Sequence, residues 1–132
     1  MKIAVNNLQT KIPIPHSRIQ TAVIQACKLL RLKKEISLVF VAPRRMQGLN
    51  KRFLGHDYVT DVITFDLGDC AEIIICPVMA LTHAKVYSQG VNKEILLYVL
   101  HGLLHVAGYD DKRKSDIKRM RLKEKKLLHM IL

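Results

Sequence analysis

The sequence predicts an α/β (α+β) fold: a single small domain over residues 1–132 with a mixed four-stranded sheet packed with about five helices. Three observations carry this. Short β-branched runs recur at 2–7, 35–42, 59–67 and 70–76. The segments between and after them repeat apolar residues at helical spacing or open with a helix-starting proline. One segment, KEILLYVLHGLLHVA (93–107), is apolar around nearly its whole circumference, which predicts a buried central helix.

The elements follow in order. KIAVNN (2–7) reads as a first strand, followed by a Pro-punctuated turn at KIPIP. From His16 to about Leu32, Ile19, Val23, Ala26, Leu29 and Leu30 mark the inner face of a helix. EISLVFVA (35–42) is a buried strand, and Pro43 opens a helix running to about Leu54 and ending near Gly55. VTDVITFDL (59–67) and CAEIIIC (70–76), split by Gly-Asp, predict a hairpin. Pro77 starts another helix, which should stop near Gly90. Asn92 is the expected cap of the helix from Lys93 to about Ala107, with Glu94 at its positive end and Gly108 just past its C-terminus. A last helix, 113–131, turns Ile117, Met120, Leu127 and Ile131 inward.

Composition narrows the function. With 49% hydrophobic residues the chain is globular, and no apolar run is long enough for a membrane helix. MKIAVNNLQTK lacks the apolar core of a secretory signal, and Cys27, Cys70 and Cys76 sit in apolar surroundings as expected of reduced thiols. A cytoplasmic protein without membrane contact is expected. Twenty-two Lys and Arg against eleven Asp and Glu give +11, of which KRKSDIKRMRLKEKK (112–126) holds +7. A field so concentrated attracts nucleic acid through counterion release, whereas a dispersed one serves solubility. Lys112, Arg113, Lys114 and Arg119 are the expected RNA contacts.

HGLLHVAGYDD (101–111) holds the chemistry. His101 and His105 stand at i and i+4, so both imidazoles share one helix face in an apolar segment. An unpartnered polar group buried there costs several kcal/mol, on the order of that for any buried polar group. A shared metal removes the cost; a backbone carbonyl for each ring is the alternative. Gly108 reverses the chain and brings back Asp111, ten residues after His101. Ligands at i, i+4 and i+10 with glycine at i+7 have the spacing of the metzincin zinc site. The general-base glutamate of that motif is Gly102 here, which argues against peptide hydrolysis.

HGLLHVAGYDD also resembles the H-G-x-L-H-x-x-G-Y-D-H signature of the YbeY family of small bacterial rRNA maturation factors and metal-dependent endoribonucleases. LNKRFLGHDYVTDVITF (49–65) is similar to the family's L-N-x-x-[YF]-R-x-x-D-x-P-T-D-V-L-S-F segment, and the strand at Ala71–Ile75, Glu94, Met120 and Glu124 also fit, over roughly residues 36–128. The resemblance implies one divalent metal ion, zinc, held by His101, His105 and Asp111. Asp111 stands where the family has histidine, so bound water should be a weaker acid, and a harder ion such as manganese is the alternative. Asp110 is a second candidate ligand, with an outer role favoured by its turn position. The family's arginine is Leu54 here and its proline is Val59; Arg52, Lys51 or His56 are candidates to replace the lost charge, with surface solvation the favoured reading for each.

Thr60 and Asp61 match the family's Thr-Asp pair beside the metal groove, with strand-end capping as the other reading. With Arg52 they are the candidates to assist a metal-bound water. Glu124 either orients the site or is a surface glutamate, and His16, His83 and His129 have no partner spacing. The expected activity is metal-dependent single-strand endoribonuclease action in small-subunit rRNA maturation and ribosome quality control. The expected partners are ribosomal RNA and the small ribosomal subunit, with no organic small-molecule cofactor. A ribosome-assembly factor that binds rRNA around a structural metal is the main rival; a peptidase is a distant third.

Overall fold

The computed structural model describes residues 2–86 and 90–131. Nine elements follow the predicted order: β1 (Ile3–Asn7), α1 (His16–Leu30), β2 (Glu35–Phe40), α2 (Pro43–Leu54), β3 (Val62–Asp66), β4 (Cys70–Ile75), α3 (Pro77–Val86), α4 (Val91–Val106) and α5 (Lys114–Ile131). The sheet runs β1-β2-β4-β3; β1, β2 and β4 are parallel, while β3 joins β4 as an antiparallel edge. Ile73, Ile74 and Ile75 are all buried, as a central strand covered on both faces requires.

Alternation assigns the two faces. Ile36, Leu38 and Phe40 of β2 and Ala71, Ile73 and Ile75 of β4 join α1, α4 and α5 in the main core. Ile63 and Ile74, pointing the other way, pack with Met46 of α2 in a smaller cluster. α4 touches α1, α3, α5, β3 and β4, so it is the central helix its composition predicts. Its approach to the sheet is close. A Cβ at Gly102 would lie 2.7 Å from Ile73 Cγ2 and 3.1 Å from Thr64 Oγ1, so no other residue fits without displacement.

Several boundaries shift for local reasons. α1 ends at Leu30, two residues early, because Arg31 turns left-handed (φ 56°) and Leu32 folds back to bond the Cys27 carbonyl. Leu32 is thereby buried, while Leu29, expected inside, is 45% exposed. β3 begins at Val62 rather than 59, since the Asp61 side chain accepts the Val62 N–H and caps the strand start. α4 begins at Val91 after Gly90 without a side-chain cap, so Asn92 lies inside the first turn and does not cap it. Val91 packs on the core, which accounts for the added residue. The expected end of α3 near Gly90 falls largely on residues 87–89, outside the described residues. No helix among the described residues is long and apolar enough to cross a membrane.

Candidate metal centre

From Glu94 onward the polar residues of α4 lie on one stripe. Glu94, Tyr98, His101 and His105 are spaced i, i+4, i+7 and i+11, within about 60° of one another at 100° per residue. Past the first turn, where Asn92 and Lys93 are exposed, the other faces of the helix are apolar, so this stripe faces a hollow while the rest enters the core. The imidazoles are therefore part-exposed at its mouth, with side chains 26% and 29% accessible, and not sealed in the core.

The turn after α4 supplies the third side. Gly108 adopts φ 101°, its N–H bonds the His105 carbonyl, and the Tyr109 N–H bonds the Leu104 carbonyl. This reversal carries Asp111 back over the histidines. Asp110, the alternative ligand, does other work: its Oδ1 accepts the N–H of Asp111 at 2.7 Å and of Lys112 at 3.2 Å, fixing the loop.

The result is a three-cornered cup. His101 Nε2 and His105 Nε2 are 3.1 Å apart, and Asp111 Oδ2 lies 3.4 Å from the first and 3.3 Å from the second. A tetrahedral ion with ligands at about 2.0–2.1 Å has an edge of about 3.3–3.4 Å, so the three atoms fit three corners of such a polyhedron. Among the described residues they form the one group of three or more such side chains that can hold a metal ion.

Both remaining ring nitrogens are committed. His101 Nδ1–H donates to Glu124 Oε2 at 3.0 Å, and His105 Nδ1–H donates to the Tyr109 carbonyl at 3.2 Å. Neither acceptor carries a proton to give back, so both Nε2 atoms of neutral rings turn lone pairs toward each other and toward a carboxylate. Three converging acceptors demand a cation. Burial opposes a charge on His101, but Glu124's hydrogen bond and charge, with Asp111 and Asp61, outweigh burial and raise its pKa.

The cup sits between two hollows. One, of about 600 Å³, runs back along α4 and is walled by Glu94, Tyr98, His83, Arg121, Glu124 and Lys125 among others. The second, of about 440 Å³, opens toward the sheet edge between Leu54, Thr60, Thr64 and Asp66. Asp61, Val62, His101 and Asp111 line both. Asp61 serves in both its expected settings, since Oδ1 caps β3 and takes the Thr60 hydroxyl at 3.3 Å while the residue faces the cup.

Other sequence candidates are placed differently. Arg52 is exposed with its guanidinium over the Phe53 ring, 5.3 Å from the centroid, and does not line either hollow. Lys51 and His56 are likewise exposed outside them, so among the described residues no Lys or Arg joins Leu54 in lining the shorter hollow. Lys112, Arg113, Lys114 and Arg119 are exposed and line neither hollow.

Arg121 and Lys125 are the cations that do line the groove. The helical period sets Arg121 within about 60° of Ile117 and Glu124, but it leaves Lys125 as far from Met120 and Glu124 as Arg119, so spacing alone does not select the pair. His83, read as a lone histidine, has its Nδ1 hydrogen-bonded to the Tyr98 hydroxyl in the longer hollow. That partner is distant in sequence and left no local signal.

A profile of the family described as "Endoribonuclease YbeY" matches residues 4–132, beyond the 36–128 over which the motifs alone were legible. An endoribonuclease YbeY of Elusimicrobium minutum is 42% identical over 93 residues, covering 64% of this chain and 65% of that one. That of Finegoldia magna is 38% identical over 119 residues (82% and 78% covered), and that of Syntrophus aciditrophicus 33% over 147 aligned positions (99% and 90%). The solution structure of a Thermotoga maritima protein superposes with a TM-score of 0.70 at 27% identity, covering 98% of this chain and 88% of that one.

Proposed function

The chain belongs to the YbeY endoribonuclease family, and from that premise we propose that it is a metal-dependent endoribonuclease cutting single-stranded RNA. Its setting is the cytoplasm, where it acts with the small ribosomal subunit in maturation of the small-subunit rRNA end and in ribosome quality control. The observation that carries the reading is the convergence of His101 Nε2, His105 Nε2 and Asp111 Oδ2 with both Nδ1 atoms already engaged. Two imidazoles and a carboxylate suit zinc and leave a fourth position open. When bound, the ion supplies Lewis-acid polarisation of a phosphate oxygen and a more acidic water.

The chain's own groups do the rest. Glu124 and the Tyr109 carbonyl hold the rings so that Nε2 faces the cup. Among the described residues the hydrogen bonds of the Asp61 carboxylate fall on Oδ1, leaving Oδ2 to accept a proton from the attacking water. Arg121 and Lys125 hold phosphates of the strand in the longer hollow. The longer hollow is lined by Asp61, Glu94, Asp111 and Glu124 against Arg121 and Lys125, so a polyanion is repelled until a divalent ion balances the excess negative charge. RNA docking and metal loading are thus coupled by charge.

The test is cleavage of a single-stranded RNA by purified protein, with loss of cleavage on chelation and in His101→Ala. Turnover surviving both changes rules the reading out. One observation favours the assembly-factor alternative: Leu54 puts no cation at the wall where the family's arginine belongs. That alternative expects salt-sensitive rRNA binding without turnover, and a chelated protein of much lower stability.

A further inference from the structure

Exposed apolar side chains gather at the open end of the shorter hollow. Phe53, Leu54 and Tyr58 are 53%, 50% and 54% accessible, all within six residues at the end of α2 and the loop beyond it. Leu54 lines the hollow that holds His101, His105 and Asp111, so the cluster begins where that hollow ends. The rings are arranged as surfaces. His56 and Tyr58 stack at 5.4 Å with 28° between planes, and Phe53 meets Phe65 edge-on at 5.4 Å while carrying the Arg52 guanidinium.

The loop that bears them is tied down. Gly55 leaves the helix at φ 73°, the His56 N–H bonds the Asn50 carbonyl, and buried Asn50 donates from Nδ2 to the Tyr58 carbonyl at 3.0 Å. Asp57, the sole acid from 43 to 60, is held by Gln47 Nε2 at 3.0 Å and lies 3.8 Å from Lys51. Arg44, Arg45, Lys51 and Arg52 give the same helix an exposed positive charge that Asp57 offsets only at Lys51. Fixed, exposed rings among cations are the chemistry that receives unpaired nucleobases.

Resting on the function proposed above, we infer that Phe53, His56 and Tyr58 form a base-stacking subsite that receives single-stranded RNA as it leaves the metal cup over the β3 edge. Stacking supplies an orientation that Leu54, lacking the charge of arginine, does not.

The test uses metal-loaded protein and a fluorescein-labelled, phosphorothioate-linked oligouridylate, read by anisotropy across a salt series. Tyr58→Ala should weaken binding at least about fivefold, and Phe53→Ala similarly, because each base-aromatic stack contributes that much. Tyr58→Phe should restore the affinity, and the salt slope should stay at the wild-type value because no phosphate contact is lost. Arg121→Gln should instead flatten the slope. Unchanged affinity in both alanine variants, with wild type binding normally, overturns the subsite and leaves the RNA reading standing; the patch is then a protein contact. A wild type that does not bind the strand at all removes both.

Discussion

Glu124 offers the sharpest single perturbation, because it touches the cup only through His101. Its Oε2 accepts the His101 Nδ1–H at 3.0 Å with 14% of the side chain exposed. A hydrogen bond to a charged acceptor contributes about 1.5–3 kcal/mol. Glu124→Gln keeps an acceptor but loses the charge, so about half is lost, and zinc affinity should fall about fivefold to tenfold. Glu124→Ala loses the partner altogether and should cost about 10- to 100-fold, the range for outer partners of metal-bound histidines.

Competition against a chromophoric chelator measures this, with thermal unfolding of the chelated protein as the check on the fold. The pH dependence adds a sign. Glu124 raises the His101 pKa, so at low pH the wild type suffers more proton competition than the variant. The gap between the two should widen as pH rises through the imidazole range. Affinity of Glu124→Ala within twofold of wild type at high pH would refute the orienting role.

Other outcomes follow from the same geometry. Gly102→Ala gains about 1 kcal/mol of helix propensity and loses about 1–3 kcal/mol to overpacking against Ile73 and Thr64, so urea denaturation should show a net loss near 1 kcal/mol. Asp111→Ala should empty the cup by elemental analysis, and retained metal would transfer the ligand role to Asp110 or water. In the chelated protein the His101 pKa is raised on folding, so its stabilising contribution is present below the ordinary imidazole value and is lost as pH rises through the raised one. The stability difference between wild type and His101→Gln should therefore shrink with rising pH, and growth would contradict it. Burial pushes the Cys27 thiol up to about 11 and raises Cys76, so alkylation of the native protein should label half-buried Cys70 first, checked by peptide mass mapping.

Much of this was legible in the residue order. The all-round apolarity of 93–107 predicted a central helix, and the glycine turn plus the i, i+4, i+10 spacing named the three cup residues before any coordinates. Within a helix, spacing dictates which side chains share a face. It does not say what lies across from that face. So the His83–Tyr98 pair was invisible, and the choice of Arg121 and Lys125 over Arg119 needed the docking angle of α5. Gly102 shows the same limit: its sequence signal was a missing base, and its packing against Ile73 emerged only when the sheet was in place.

That contact at Gly102 bears on how the proposed ion would be taken up. Backbone against side chain fixes the height of α4 over β3 and β4, and the Gly108 turn then fixes Asp111. The donor atoms are assembled by the core, in contrast to a zinc finger, whose chain folds only around its metal. For the metal enzyme proposed above, folding would then precede loading, and the ion taken up would depend on which divalent metal the surroundings supply as much as on intrinsic preference.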